Sequence, residues 1–254
     1  MNVDQMLEEL TDIFAEECGD SLTGVYLHGS LAMTGYHISR SDVDLVVVVE
    51  QAPTSKMKHA IIERLLTYPR VPLRGVEVSI VLHQHTKLIP YPTPFELHYS
   101  ESLRKHYETV PYRALDTDVD YDLVAHFMMI KERGICLYGE PIPEVFGYVS
   151  EERYLDSILR DVENVKEDIL KDPVYYVLNL CRILYYVQEG VISSKKEAGE
   201  WAVNLLPGAF HELVEECLLV YRGQPAPSAW NEASLIFFAT SMLQMLPPAR
   251  SLKE

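Results

Sequence analysis

The sequence predicts an α+β chain in two parts: a domain of strands and helices over residues 1–150, and an all-α helical bundle over residues 151–254. Three observations carry this reading. The first third alternates helix, strand, strand, helix, strand by its hydrophobic period. Beyond about Val149 the apolar segments all take the helical period instead. The breaks between those later segments fall at Pro173, Gly190, Pro207 and the stretch "GQPAPS", where helices end.

Taken in order, Val3, Met6, Leu10, Ile13 and Phe14 recur at helical spacing, which predicts a helix from Met1 to Cys18. "VYLHG" is a short strand running into Gly29 and Ser30, and "DVDLVVVVE" is a buried strand entered through two acids. "KHAIIERLLTY" returns to the helical period, and "VEVSIVLHQ" alternates as a third strand. "LIPYPTPFELHYS", within the proline- and tyrosine-rich stretch from Leu88 to Pro111, is expected to be extended and bent by its prolines. "YDLVAHFMMIKERG" predicts a helix closed by Gly134, with "ICLYG" a strand after it. Helices are then expected over 150–171, 173–189, 195–206, 209–222 and 229–247, with Trp201 and Trp230 as helix-packing residues. His83 and His85 fall on one face of a strand end; with no third ligand in view they read as ordinary histidines.

The 254 residues carry a net charge of −16, which argues against nucleic acid as a partner, since phosphate backbones select for Lys and Arg. A small cationic substrate is compatible with that charge. The four cysteines are scattered without a CxxC pair, as expected of free thiols in a reducing cytosol. The acidic, amphipathic start is no signal peptide, and no apolar run approaches the ~20 residues of a membrane span. The expectation is a cytoplasmic protein, away from membranes, as a monomer or weak homodimer.

Chemistry is concentrated near the two acids. Residues two apart on a strand share a face, so Asp42 and Asp44 present both carboxylates together. Two like charges so close call for a cation, and Mg²⁺, with its preference for hard oxygens and phosphates, suits them. Gly29 and Ser30 precede them by eleven residues and supply a close backbone approach and a hydroxyl for a phosphate. Glu77, out of phase with Val76, Val78 and Ile80, adds a third carboxylate as metal ligand or general base. Strand, Gly-Ser, Asp-x-Asp and a Glu on the next strand together point to nucleotidyl transfer.

The pattern GS…SDVDL…VEV resembles the nucleotidyltransferase superfamily of DNA polymerase beta and kanamycin nucleotidyltransferase. It is most similar to the adenylyltransferases that modify streptomycin and spectinomycin. That resemblance extends through "YPTPFEL", "DVDYDL", "DPVYYVLNLCRILYYVQEGVISSKKEAGEWA" and "LLVYRGQ". It implies a polymerase-beta-like mixed-sheet domain followed by the helical bundle, with ATP as co-substrate and Mg²⁺ as cofactor. By resemblance Asp42 and Asp44 bind Mg²⁺, Glu77 is the catalytic base, and Ser30 and Ser41 contact the triphosphate. Arg182 and Lys195 match positions that reach the nucleotide phosphates, and Tyr221 one near the base. Asp122 matches an acid of the interdomain cleft, and Asp172 one near the aminoglycoside.

Two departures bear on the acceptor. A Trp common in the family is here Ser102, and "ENVKEDILKDP" keeps Asp168 but lacks the Trp of the streptomycin modifiers. Aromatic faces clamp sugar rings, so spectinomycin is expected over streptomycin. A different hydroxyl acceptor (metabolite, protein or RNA) and a non-catalytic nucleotide-binding module are the alternatives. The presence of all three carboxylates argues against the second.

Overall fold

The structure is a computed structural model that describes residues 3–33, 35, 41–68, 75–109 and 117–247. Met1 and Asn2 of the expected first helix, Val110 and Pro111 of the proline-rich stretch, and residues 248–254 of the helical part lie outside the described residues.

Helix α1 (Val3–Cys18) leads into strand β1 (Leu22–His28), the single turn α2 (Gly29–Ala32), and β2 (Val43–Val49). Then come α3 (Ser55–Thr67), β3 (Val76–Leu82), the short α4 (His83–Lys87), β4 (Thr93–Phe95) and β5 (Leu97–Ser100). After α5 (Arg104–Tyr107) follow β6 (Asp118–Asp120), α6 (Leu123–Arg133), β7 (Ile135–Gly139) and α7 (Ile142–Val145). The described elements beyond are helical: α8 (Glu151–Arg160), α9 (Val165–Asp168), α10 (Pro173–Glu189), α11 (Lys195–Leu205), α12 (His211–Tyr221) and α13 (Glu232–Met245). The class is α+β with a mixed sheet, as the sequence led one to expect.

The main sheet has the order β5-β3-β2-β1-β7; β2 and β3 run parallel, and the other neighbours antiparallel. Both faces are covered, which is why "DLVVVV" is apolar without alternation. Val25, Leu27, Val43, Leu45, Val47, Val78 and Ile80 pack on one face against Met6, Leu10 and Phe14 of α1 and Ile61 and Leu65 of α3. Each such fully buried side chain contributes roughly 1.5–3 kcal/mol. Tyr26, Val46, Val48 and Val81 turn to the other face, where they join Phe127 and Ile130 of α6. That core continues without a break into Ile158, Leu178, Leu184, Val214 and Phe238 of the later helices. The helical part is therefore held against the sheet face that carries the acids.

Local signals explain the ends of the elements. Asp172 caps α10 by accepting from the Tyr175 amide at 3.1 Å, and Pro173 follows at the first helical position, where its missing N–H is no loss. Gly190 ends α10 in the left-handed conformation, φ +69°. Ser194 and Glu197 form a reciprocal capping box at the start of α11. Three expectations need correction. The expected helix 150–171 is two, because the chain turns after Arg160 before α9 begins. His83 and His85 lie in α4, since β3 stops at Leu82; a 2.6 Å contact ties the His83 ring to Glu50. Trp230 sits in the loop ahead of α13 and not in a helix, though it packs on the core as Trp201 does; Trp201, in α11, stacks on Tyr185 and donates to Glu189.

Candidate active site

Cross-strand register assembles the acids. His28 of β1 lies opposite Asp44 of β2, and Asp44 lies beside Glu77 of β3, so the three form one row across the sheet. Side chains opposite one another on paired strands share a face. Asp42, two residues ahead of Asp44, adds its carboxylate just before β2 begins. Asp42, Asp44 and Glu77 each offer an oxygen, and all three oxygens lie within 4.8 Å of one another.

Glycine at position 29 is required by this arrangement. Its φ of +67° is left-handed, and a Cβ there would stand 1.8 Å from the Asp44 Oδ2. Beside it, the Ser30 hydroxyl is buried and has no hydrogen-bond partner among the described residues.

The helical part supplies the opposite wall of a cavity of about 290 Å³. Arg182 and Asn179 come from α10, Lys195 from the first turn of α11, and Tyr221 from the end of α12. Asp122 and His126 come from α6 and the residue that precedes it. Arg182 lies 4.0 Å from Asp161, and the Lys195 ammonium sits 4.4 Å above the Tyr175 ring. Tyr221 hydrogen-bonds with Ser41, joining α12 to the approach to β2.

The cavity is short of positive charge where the carboxylates meet. Burial, then the Asp42 and Glu77 charges, push the Asp44 carboxyl well above the usual range, against the pull of Lys195 and Arg182. Burial also raises Glu77, opposed first by His126. Asp122 is pushed up to about 7 by burial and by Asp161, Asp120 and Glu77. Burial and Arg182 lower the Lys195 ammonium. A divalent cation fits this set: the three hard oxygen donors lie within 4.8 Å of one another, close to the roughly 4.2 Å width of an octahedral Mg²⁺ shell.

Residues 144–245 match the family model of the aminoglycoside adenylyltransferase C-terminal domain. An aminoglycoside (3'') (9) adenylyltransferase of Klebsiella pneumoniae is 29% identical over 229 residues, covering 87% of this chain and 86% of that one. Along most of its length, this chain is similar to aminoglycoside adenylyltransferases. A spectinomycin 9-adenylyltransferase of Staphylococcus aureus is also 29% identical, over 225 residues, with 87% and 84% covered. The fold matches a crystal structure of spectinomycin adenyltransferase AAD(9) from Enterococcus faecalis, solved with ATP and spectinomycin. The TM-score is 0.79 at 20% identity, covering 95% of this chain and 98% of the other.

The residues singled out from sequence divide into two groups. Gly29, Ser30, Ser41, Asp42, Asp44, Glu77, Asp122, Arg182, Lys195 and Tyr221 all line the one cavity. Asp172 is exposed, its carboxylate engaged in capping α10, and does not line it. The second acid on the cavity wall with Asp122 is Asp161, which sequence reasoning passes over, as it does Ser157, Tyr175, Asn179 and His126. A signal is present for two of them. Ser157 and Asp161 continue the buried face of α8 that carries Tyr154 and Ile158, where polar residues are out of place on an apolar stripe.

Proposed function

We propose that this chain is a Mg²⁺-dependent O-adenylyltransferase. It moves AMP from ATP to a hydroxyl of an aminocyclitol antibiotic, spectinomycin rather than streptomycin, and releases pyrophosphate. The observation that carries the proposal is the cavity itself: three carboxylates on one sheet face, opposite two cations from the helical part. The names of the relatives, and the ATP and spectinomycin bound in the AAD(9) crystal, agree with it.

In this reading Asp42 and Asp44 hold Mg²⁺, with Glu77 within reach as a third oxygen donor. The metal supplies charge neutralisation at the phosphate oxygens when bound. Gly29 leaves room for the Asp44 carboxylate, and Ser30 and Ser41 present hydroxyls to the triphosphate. Arg182 and Lys195 face the phosphates from the other wall, and Tyr221 borders the base. Glu77, as its carboxylate, takes the proton of the acceptor hydroxyl. The freed oxygen bonds to the α-phosphorus as the bond to the β-phosphate oxygen breaks, and pyrophosphate departs. Asp122 favours an acceptor that carries an amine. Asp172 does not line the cavity; its carboxylate caps α10.

The absence of tryptophan at Ser102 and within "ENVKEDILKDP" supports spectinomycin over streptomycin. Pyrophosphate release tests this with Mg·ATP and each antibiotic in turn. Release with spectinomycin, little with streptomycin, and none after chelation of the metal is the expected result. Release that ignores both antibiotics would shift the reading to another hydroxyl acceptor.

A further inference from the structure

We propose that Ser157 and Asp161, one helical turn apart at the end of α8, form with Asp122 the wall that receives an ammonium group and a neighbouring hydroxyl of the acceptor. The proposal rests on adenylyl transfer being the chemistry of this cavity, and it names residues beyond those assigned above.

Two cavities meet at these acids. The inner one holds the carboxylate row; a second hollow of about 320 Å³ is lined by Val119, Asp120, Tyr121 and Arg160. Asp122 and Asp161 line both. A molecule seated in the outer hollow and reaching Glu77 passes these two carboxylates, which suits a cation-bearing acceptor and repels phosphate. The triphosphate has its own partners, Arg182, Lys195 and Ser30, on the remaining walls.

Arg160 does not neutralise this wall. Its guanidinium is committed to Asp156 at 2.8 Å and lies 4.0 Å over the Tyr121 ring. Arg182 is 4.0 Å from Asp161, at the outer limit of an ion pair, and is itself a group that a triphosphate attracts. Asp161 faces Lys195 as well as Arg182, the two cations assigned to the triphosphate, and its side chain is 23% exposed.

The second, independent sign is Ser157. Its hydroxyl is buried on the inner cavity wall and has no hydrogen-bond partner among the described residues. A helical serine usually returns its hydroxyl to the carbonyl one turn back. Leaving it unpaired is costly, and a ligand hydroxyl would recover that cost. Asp161 is the residue that follows the last turn of α8, four positions after Ser157 and still in helical backbone conformation, so the two address neighbouring groups of one ligand. An ammonium beside a hydroxyl is the pattern that an amino-substituted cyclitol presents.

The test uses the full chain with Mg·ATP and spectinomycin. Asp161→Asn should raise the KM for spectinomycin about tenfold or more, and Ser157→Ala about threefold to tenfold, with the KM for ATP within twofold in both. Asp161→Glu should recover part of the loss. A raised KM for ATP with an unchanged KM for spectinomycin would make Asp161 only a tether for Arg182, and would overturn the proposal. Ser157→Ala, a small change, keeps the test decisive if Asp161→Asn fails to fold.

Calorimetry with a non-hydrolysable ATP analogue bound separates this inference from adenylyl transfer. Spectinomycin binding that weakens in Asp161→Asn, without pyrophosphate release by the unaltered chain, would uphold the wall and sink the transfer reading. Pyrophosphate release with both variants keeping the spectinomycin KM within twofold would do the reverse. No binding of spectinomycin to the unaltered chain would sink both.

Discussion

Replacing Gly29 by alanine should slow adenylyl transfer by about 10²-fold or more while leaving the fold in place. The added Cβ would stand 1.8 Å from the Asp44 Oδ2, so the carboxylate or the turn must shift by roughly 1 Å or more to restore a 3.0 Å contact. Alanine at a φ of +67° also stores about 1–2 kcal/mol of backbone strain. For a chain of this length that strain lowers Tm by roughly 2–8 °C. Misplacing a reacting group by about 1 Å costs on the order of 10²-fold in rate, and here the displaced group is also a proposed metal ligand. Thermal melts and spectinomycin-dependent pyrophosphate release on the same preparation give both numbers. Gly190→Ala is the control: it carries the same left-handed strain, φ +69°, with nothing within 4 Å of the new Cβ. It should lose a similar amount of Tm and keep its rate within about twofold. Equal rates in the two variants would refute the claim that Gly29 makes room for Asp44.

Glu77→Gln should lower the rate of transfer by about 10²- to 10⁴-fold with ATP affinity within a fewfold, because the loss falls on proton abstraction; single-turnover kinetics and ATP titration separate the two. Asp122→Asn should stabilise the chain at pH 8 and have little effect at pH 4. The unfolded chain ionises Asp122 near the usual carboxylate value, whereas the folded chain keeps the proton until about 7. The group therefore supports the fold at low pH and withdraws that support as pH rises toward 7, by at most about 4 kcal/mol. Paired thermal melts at the two pH values measure it.

The sheet that carries the site is readable because its pattern is redundant. "DVDLVVVV" and "VEVSIV" are strands by composition and period, and their acids interrupt a run that both covered faces demand be apolar. Sequence spacing puts Asp42 beside Asp44, but the pairing of Asp44 with Glu77 depends on a parallel register that no local signal encodes. Gly29 reads as a permissive residue, whereas its collision with Asp44 is visible only once β1 lies against β2. Arg182, Lys195 and Tyr221 are reached through family resemblance; in isolation an arginine inside "NLCRILYY" is an ordinary helix residue. Asp161 and Ser157 escape a sequence reading because the turn after Arg160 looks like continuous helix, and because their significance lies in what faces them across the cavity. Asp172 shows the converse: its capping geometry is legible from "DPVYY", and that is the role its carboxylate fills in the structure.

The central claim, transfer of the α-phosphoryl unit with its nucleoside, is tested most directly by following label from ATP into spectinomycin. With ATP labelled at the α-phosphate, the antibiotic should acquire the label and gain the mass of one AMP unit; with ATP labelled at the γ-phosphate, all label should leave as pyrophosphate. Label from the γ-phosphate on the antibiotic would mean phosphoryl transfer, and would contradict the account.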